Sequence, residues 1–591
     1  MKNHRSFNIA LGILILLNIA SAVEQGSNKS TSRYAKVAVD SILTVLTPTI
    51  KALTINNIVQ WVQSDGLYPR RSLQGTTATF PKDTGGIIWA EGLVWGAMVR
   101  DGYDPLIRVN GYTFETGIKA GKIVFDVAGK VTGSEDPALR HLWRVRPDYK
   151  TADLTEDARY SFLLDMAEVT DDHVQALYEQ YDYDWQNWPA AEGAPYEDID
   201  GDGSYDPAVD IPGYPGAAQT IWLVAKDLPD QDGNDISLPF YGAPSIGIEL
   251  QLTIWAFNYR DGQWFNDAIF KRARIIYTGG VETPDSARLD SMYIGFWSDP
   301  DLGDAGDDYV GCDTTLSLGY VYNGNAIDVT YDGIFGLPVP AAGYALLQGP
   351  YDNGDYLGLN AFSFCGPGAV PCEPDIGVYA GTLQYWNILE GFLPYPPHPS
   401  KVPWKDHNGN STKFIYAGDP VAGTGHIDGV AFPPGDRIMV MSTGPFAMAL
   451  GDTQEITYAL IGAMAEDNMS SLVKLRQTTG GWQSLYVGDL AIDERTILTT
   501  GFNLAQNYPN PFNPTTVLRF DLPMATHAKL IVYDVLGREV AILKDEQLAQ
   551  GMHQAMWNGR DKDGSTLASG IYFARLVTPE YSKTIKMLLL K

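Results

Sequence analysis

Gly247-Ile248-Glu249-Leu250-Gln251-Leu252-Thr253-Ile254-Trp255 and Ala268-Ile269-Phe270-Lys271-Arg272-Ala273-Arg274-Ile275-Ile276-Tyr277 decide the fold class of this 591-residue chain. Both runs are long, rich in β-branched and aromatic residues, and bounded by turn formers, which is the pattern of sheet strands. With Thr220-Ile221-Trp222-Leu223-Val224 they predict the centre of a sandwich sheet. Upstream, Ile55 to Lys150 alternates short apolar runs with Gly/Pro/Asp turns, as in Gly86 to Val99. Downstream, Leu316 to Tyr486 holds Ile438-Met439-Val440-Met441 and Gln454-Glu455-Ile456-Thr457-Tyr458-Ala459-Leu460-Ile461. The 60 Gly and 36 Pro follow no fixed period, so the fold reads as mainly β, in multidomain β-sandwiches with a few short helices. One helix is expected after a cap at Thr170, with Val174, Leu177, Tyr178 and Tyr181 on one stripe, ending before Asp182 to Pro189. A second is expected after Ser470 or Ser471, with Leu472 and Leu475 inward.

A chain of this length exceeds a single core. The expected division is a signal peptide at 1–22, an N-terminal β-rich domain at 23–190, a β-sandwich region at 191–315, a second β-rich domain at 316–490, a linker at 491–506 and a C-terminal domain at 507–591. Lys2 and Arg5, the apolar stretch Phe7 to Ile19 and the Ala20-Ser21-Ala22 site form the expected leader, too short for a permanent anchor. No further window is apolar enough to span a membrane as a helix.

Charge is unevenly placed. Residues 501–591 carry ten basic and eight acidic side chains, and the leader two basic and none acidic, so the body between them holds −33 against a chain total of −29. Such a body repels phosphate backbones, which excludes nucleic acid as a partner and leaves cation binding or solubility as the use of the acids.

The tail has its own pattern. In Thr516-Val517-Leu518-Arg519-Phe520-Asp521-Leu522 polar and apolar residues alternate, and further strands are expected at Lys529 to Asp534, Glu539 to Leu543, Gly570 to Leu576 and Lys583 to Leu590. Turn signals stand at Leu536-Gly537, Asn558-Gly559 and Asp563-Gly564. Tyr533-Asp534-Val535-Leu536-Gly537-Arg538-Glu539-Val540, Trp557-Asn558-Gly559, Ser569-Gly570-Ile571-Tyr572 and Lys586-Met587-Leu588-Leu589 resemble the type A C-terminal sorting domain of the type IX secretion system, itself similar to the immunoglobulin-like domain of flagellar hook-capping proteins. The resemblance implies an Ig-like sandwich at 507–591, the secretion machinery as its partner, and passage across the outer membrane to the exterior or cell surface. The body more loosely resembles large uncharacterised secreted proteins with the same tail, through Trp188-Pro189 and Asp198 to Pro207, and this implies no activity.

The sharpest chemical pattern is Asp198-Ile199-Asp200-Gly201-Asp202-Gly203-Ser204-Tyr205-Asp206. Carboxylates two apart, with a Gly for the turn, suit a calcium loop: Asp198, Asp200 and Asp202 give side-chain oxygens, Ser204 its carbonyl and Asp206 the ninth place. Val209 stands where an EF-hand has its bidentate Glu, and Asp210 comes one step late. Asp299 to Asp308 is a second acidic run that fits no ligand template. Cys365 and Cys372 bracket a Pro/Gly loop that a local disulfide would close, leaving Cys312 as a buried small side chain or as the partner of either. Zincin, nucleophile-elbow, phosphate-loop and paired C-x-x-C signatures are absent, and the eight histidines lack metal spacing. The expectation is therefore a secreted cell-surface structural or adhesive protein, stabilised by calcium, whose partners are surface polysaccharide or further copies of itself. The alternative is a secreted hydrolase of polysaccharide or protein, using a carboxylate pair with Trp185, Trp188, Trp297 or Trp386 as sugar platforms.

Overall fold

The computed structural model describes residues 50–72, 75–124, 126, 140–228, 241–258, 265–366 and 373–489, and within 502–590 all but 505–506, 508–511, 513, 515, 523–525, 549–550 and 563. The expected leader and most of the expected linker lie outside them. The chain divides into two compact units, one up to Arg476 and one from Gln477.

The first unit is a β-sandwich. A nine-stranded antiparallel sheet runs Asp308–Asp313, Leu318–Asn323, Ala341–Gln348, Thr453–Ala463, Ala268–Tyr277, Ile248–Ala256, Gln219–Lys226, with Lys119–Ala120 and Trp143–Val145 both paired to the last of these. A five-stranded sheet runs Leu359–Cys365, Ile438–Ala449, Arg288–Asp299, Ala90–Arg100, Ile107–Gly111. Their inner faces make one core: Ile248, Leu250, Leu252 and Ile254 of the larger sheet meet Leu93, Trp95, Ile294, Phe296 and Met441 of the smaller.

The expected boundaries at 190/191 and 315/316 do not correspond to this architecture. Ala268–Tyr277 continues into Arg288–Asp299 in the opposite sheet, and Ile438–Ala449 continues into Thr453–Ala463, so the two segments pair with each other twice, once in each sheet. Apolar runs locate strands, but nothing in their pattern shows that partners are about 170 positions apart.

Glu249, Gln251 and Thr253 alternate with apolar residues along Ile248–Ala256, and all nine residues are buried. The outer face is covered by the segment after Trp143. Gln251 Nε2 donates to the Glu192 carbonyl at 3.0 Å, Arg274 Nη1 donates to Gln251 Oε1 at 2.9 Å, and Tyr214 stacks on Trp255 at 3.9 Å. Polar side chains serve this face because a second layer supplies their partners.

Two helices support that layer: α1 (Thr155–Phe162) and α2 (Asp171–Gln186). Thr170 caps α2 as expected, accepting from His173 N, and Leu177 and Tyr181 are buried. The helix does not stop before Asp182. It continues because Asp184 is a buried anchor that accepts from Lys51 Nζ at 2.5 Å, His141 Nε2 at 2.7 Å and Arg144 N at 2.8 Å. On the other side of the sandwich, α3 (Tyr379–Glu390) covers the five-stranded sheet, with Tyr385, Trp386 and Leu389 packed on Val94, Tyr293 and Trp297. α4 (Asn468–Asp489) is capped by Asp467, whose Oδ1 accepts from Ser470 N at 2.8 Å, and not by Ser470 or Ser471. Leu472 and Leu475 are fully buried, as expected.

The second unit is a smaller sandwich. One sheet holds Asn503–Leu504, Thr516–Leu522 and Gly551–Trp557, and the other Glu539–Leu548, Thr526–Asp534, Gly570–Val577 and Ser582–Leu589. Leu518, Phe520 and Leu522 face its core with Val532, Trp557, Ala574 and Met587. Asn503–Leu504, placed in the linker by the sequence, is a strand of this sandwich, and Gly551–Trp557 is a strand that the sequence reading missed.

Inside the first core, Lys271 Nζ meets Glu91 Oε1 from the facing sheet, Tyr344 OH donates to Glu91 Oε2, and the ammonium lies 4.3 Å from the Tyr68 ring centre. Lys271 is fully buried and Glu91 3% exposed. Burial pulls the Lys271 ammonium down from its usual range, and Glu91 opposes that pull. Removing one partner strands the other charge, so Lys271→Ala is expected to cost about 3–5 kcal/mol. Lys271→Met with Glu91→Gln should recover most of that loss, as read by urea denaturation.

Candidate functional site

The Asp198 loop is closed by a two-residue ladder, Tyr196–Glu197 against Ile211–Pro212. Gly201 and Gly203 take φ of 74° and 77°, the left-handed region that a side chain disfavours, and this lets the chain turn back twice in three residues. One carboxylate oxygen from each of Asp198, Asp200 and Asp202 lies within 4.8 Å of the others. That spread fits a shared shell at calcium–oxygen distances. Asp198 accepts from Gly201 N at 2.8 Å and Gly203 N at 2.9 Å, and Asp202 accepts from Ser204 N at 2.7 Å. Ser204 and Asp206 are exposed, and Asp206 Oδ1 accepts from Ala208 N at 2.8 Å.

Asp210, one step late for an EF-hand, has a different task. Buried at 2% exposure, it accepts from Ile199 N at 2.9 Å and Asp206 N at 2.8 Å, so it spans the loop from inside. The amide of Asp202 draws the Asp200 carboxyl down, but burial and the carboxylates of Asp202, Asp210 and Asp198 outweigh it and leave that carboxyl raised.

The Asp299 to Asp308 run separates into distinct environments. Asp304 and Asp307 turn toward Asn323, Asn325 and Asp328, with Asp304 N donating to Asp328 Oδ2 at 3.0 Å and Asn323 Nδ2 donating to Asp307 Oδ1 at 2.8 Å. Gly303, at φ 68°, passes so close to Asp328 that a Cβ would lie 2.4 Å from its carboxylate. Asp299 and Asp301 instead gather with Asp436, one oxygen of each within 4.8 Å of the others.

Local anchors hold this group. Trp89 N donates to the Asp299 carbonyl at 2.9 Å, and Gly435 N donates to the Asp308 carbonyl at 3.1 Å. Arg437, next to Asp436, turns inward to Asp428 at 2.9 Å. Asp436 was not legible as a member, because it stands alone in Pro434-Gly435-Asp436-Arg437.

Burial first, then Asp301, Asp436 and Glu373, push the Asp299 carboxyl up to about 8; Arg70, stacked on Trp89 at 4.0 Å, opposes this weakly. Burial, then Asp436 and Asp304, push Asp301 up to about 7. Trp297, two residues before Asp299 on the same strand, faces α3. Beside it is a cavity of about 20 Å³, lined by Ser363, Phe364, Tyr385, Trp404 and Glu373, with room for a water-sized guest.

The proposed sugar platforms are core residues: Trp185, Trp188, Trp297 and Trp386 are 9%, 4%, 5% and 0% exposed. Cys312 is free and buried, its thiol raised by burial, and its Sγ lies 3.5 Å from the Ile415 carbonyl. Cys365 is engaged in a disulfide, and Cys372 lies outside the described residues.

Asp299 and Asp301 keep their protons to higher pH folded than unfolded, so between about pH 4 and pH 8 the native state binds more protons and stability falls as pH rises. In chelator, the melting temperature of the wild type is expected to drop more steeply from pH 5 to pH 8 than that of Asp436→Asn. Equal slopes would contradict the carboxylate grouping.

In the tail, the motif residues lock turns. Asp534 Oδ1 accepts from Leu536 N and Arg538 N, both at 2.9 Å, and Arg538 Nε closes on Asp534 Oδ2 at 2.6 Å, leaving Val535 and Leu536 at the exposed tip. Trp557 Nε1 donates to the Arg560 carbonyl at 2.9 Å and Tyr572 OH to the Ala568 carbonyl at 2.8 Å.

No curated protein matches the sequence. Among solved structures, a polysaccharide lyase is similar at 8% identity and TM-score 0.18, over 61% of this chain and 36% of its own. PorZ, a surface component of the type IX secretion system of Porphyromonas gingivalis, is similar at 11% identity and TM-score 0.12, over 66% and 44%. Dimeric latent PorU of the same organism follows at 10% and 0.14, over 63% and 31%. The chain thus spans less than half the length of each, and TM-scores this low do not amount to a common fold. The tail is different: residues 506–591 match the family described as secretion system C-terminal sorting domain, in agreement with the resemblance of this sandwich to the type IX sorting domain.

Proposed function

We propose that this protein is a structural or adhesive component of the outer cell surface, stabilised by calcium at Asp198, Asp200, Asp202, Ser204 and Asp206. The sorting domain at 506–591 carries the reading, because it addresses the body to the exterior. A leader at 1–22 starts the route, and the secretion machinery receives the tail. The body supports a mechanical role: its two sheets are stitched by segments that cross between them, and Trp185, Trp188, Trp297 and Trp386, the platforms named for the hydrolase alternative, are packed inside. No described helix is long and apolar enough to cross a membrane. Surface polysaccharide or further copies of the chain are the partners that an acidic, rigid exterior protein contacts.

At the loop, the ion would be held by three carboxylates already drawn together and by the Ser204 carbonyl. Asp206 would complete the shell directly or through water. Calcium at a hundred times its dissociation constant should stabilise the fold by about 2.7 kcal/mol. The expected result is a lower melting temperature in chelator, with the calcium-dependent part reduced in the Asp198→Asn, Asp200→Asn, Asp202→Asn triple variant. A triple variant with undiminished calcium response removes the loop from the reading.

Export is tested separately. Deleting 507–591 should leave the body inside the outer membrane, detected by fractionation and surface protease accessibility. A truncated chain that still reaches the surface would overturn the assignment of the tail as its address.

A further inference from the structure

We propose that one end of the tail sandwich, where Val535, Leu536, Ile571 and Leu590 stand exposed, is the surface that the secretion machinery grips through an apolar, uncharged cleft. The proposal rests on the reading of the tail as an export address and names the surface that makes it one.

The sequence motifs that carry the family resemblance lie far apart in the chain, and the fold collects them. In the four-stranded sheet Asp534 pairs with Tyr572, Tyr572 with Met587, and Gly570 with Leu589. Thr526–Asp534 therefore ends, Gly570–Val577 begins and Ser582–Leu589 ends at the same end of the sandwich. Trp557 lies against it too, its ring 5.1 Å from Tyr572, and a Cβ on Gly559 would come 3.2 Å from Leu589 Cδ2. Packing explains the motif residues Tyr572, Met587 and Leu589, which enter the core. It does not explain Val535, Leu536 and Ile571 within the motifs, or Leu590 just after the last. These are 63%, 75%, 40% and 47% exposed, and Leu536 is the most exposed large apolar side chain among the described residues. Apolar residues scattered singly over a surface need no explanation, but four gathered where the shared motifs meet mark a contact surface.

The tip is built to be held out. Gly537 N donates to the Asp534 carbonyl and Asp534 N to the Arg538 carbonyl, both at 3.0 Å, and Gly537 supplies the φ of 76° that the turn requires. The Asp534 carboxylate holds the amides of Leu536 and Arg538 from inside, so a partner need not order the turn before binding it. Arg538 and Asp534 neutralise each other at 2.6 Å. The tip thus offers aliphatic surface without net charge, which suits an apolar cleft and gives an anionic partner little to bind.

Export of the full chain in the bacterium that secretes it provides the test, read by fractionation and surface protease accessibility. The Val535→Ser, Leu536→Ser double variant should lower the surface-exposed fraction by at least about 10-fold, and Ile571→Ser should lower it in the same direction. Ile542→Ser, at a 45% exposed position within Glu539–Leu548 of the same sheet, is the control and should be exported like the wild type. These exposed positions leave the core intact, so the purified variants should melt with the wild type, which separates failed recognition from failed folding. A benzophenone side chain in place of Leu536 should crosslink to an envelope protein whose removal also blocks export of the wild-type chain. Wild-type export of the double variant, equal retention of Ile542→Ser, or an adduct only with a second copy of this chain would overturn the surface. The chain lacking 507–591 tells that failure from failure of the address. If it is retained while the double variant is exported, only the surface falls; if it too is exported, the address falls with it.

Discussion

The body is built on a double pairing across a long stretch of chain. Residues 268–299 and 438–463 each run up one sheet and down the other, and they align strand against strand in both: Ile269 opposite Leu460 in the large sheet, Phe296 opposite Met441 in the small one. Everything between 300 and 437 must be arranged around that closure, including the Asp308–Asp313, Leu318–Asn323 and Ala341–Gln348 strands that extend the large sheet and the α3 helix that covers the small one. The energetic weight lies in the shared apolar interior, and the ladders fix which residues enter it. Such non-local pairing carries a high loop-closure cost before any contact rewards it.

Local chemistry was legible and long-range chemistry was not. The strands around Ile254 and Phe270, the Thr170 cap, and the inward Leu518, Phe520 and Leu522 follow from period and propensity, which act within a few residues. The α2 helix runs past Asp182 because Asp184 finds a lysine and a histidine distant in sequence, and no local pattern announces that. The same holds at the acidic groups. Asp198, Asp200 and Asp202 could be named together because the motif is contiguous, whereas the partner of Asp299 and Asp301 is a solitary Asp436 that the fold brings to them. Trp297 and Trp386 stand as platforms only under the hydrolase alternative, and the face they occupy is decided by α3, whose low polarity offered no amphipathic stripe.

The sorting domain shows why a short motif can identify a fold. Asp534, Trp557 and Tyr572 each satisfy backbone groups at a hairpin or corner, where few residue types can do so, and Arg538 holds the Asp534 carboxylate in place. Between them the strands need only alternate. The motif therefore marks the turns, and the sandwich follows from the turns.

The Lys271–Glu91 contact has a bearing on specificity that its modest net energy hides. Two apolar sheets lying face to face accept many relative offsets at similar cost, since hydrocarbon is indifferent to which hydrocarbon it meets. A sealed ammonium and carboxylate are not indifferent. Any sliding of one layer against the other leaves both charges in an oily interior without a mate, so the pair works as a key that only the native alignment turns.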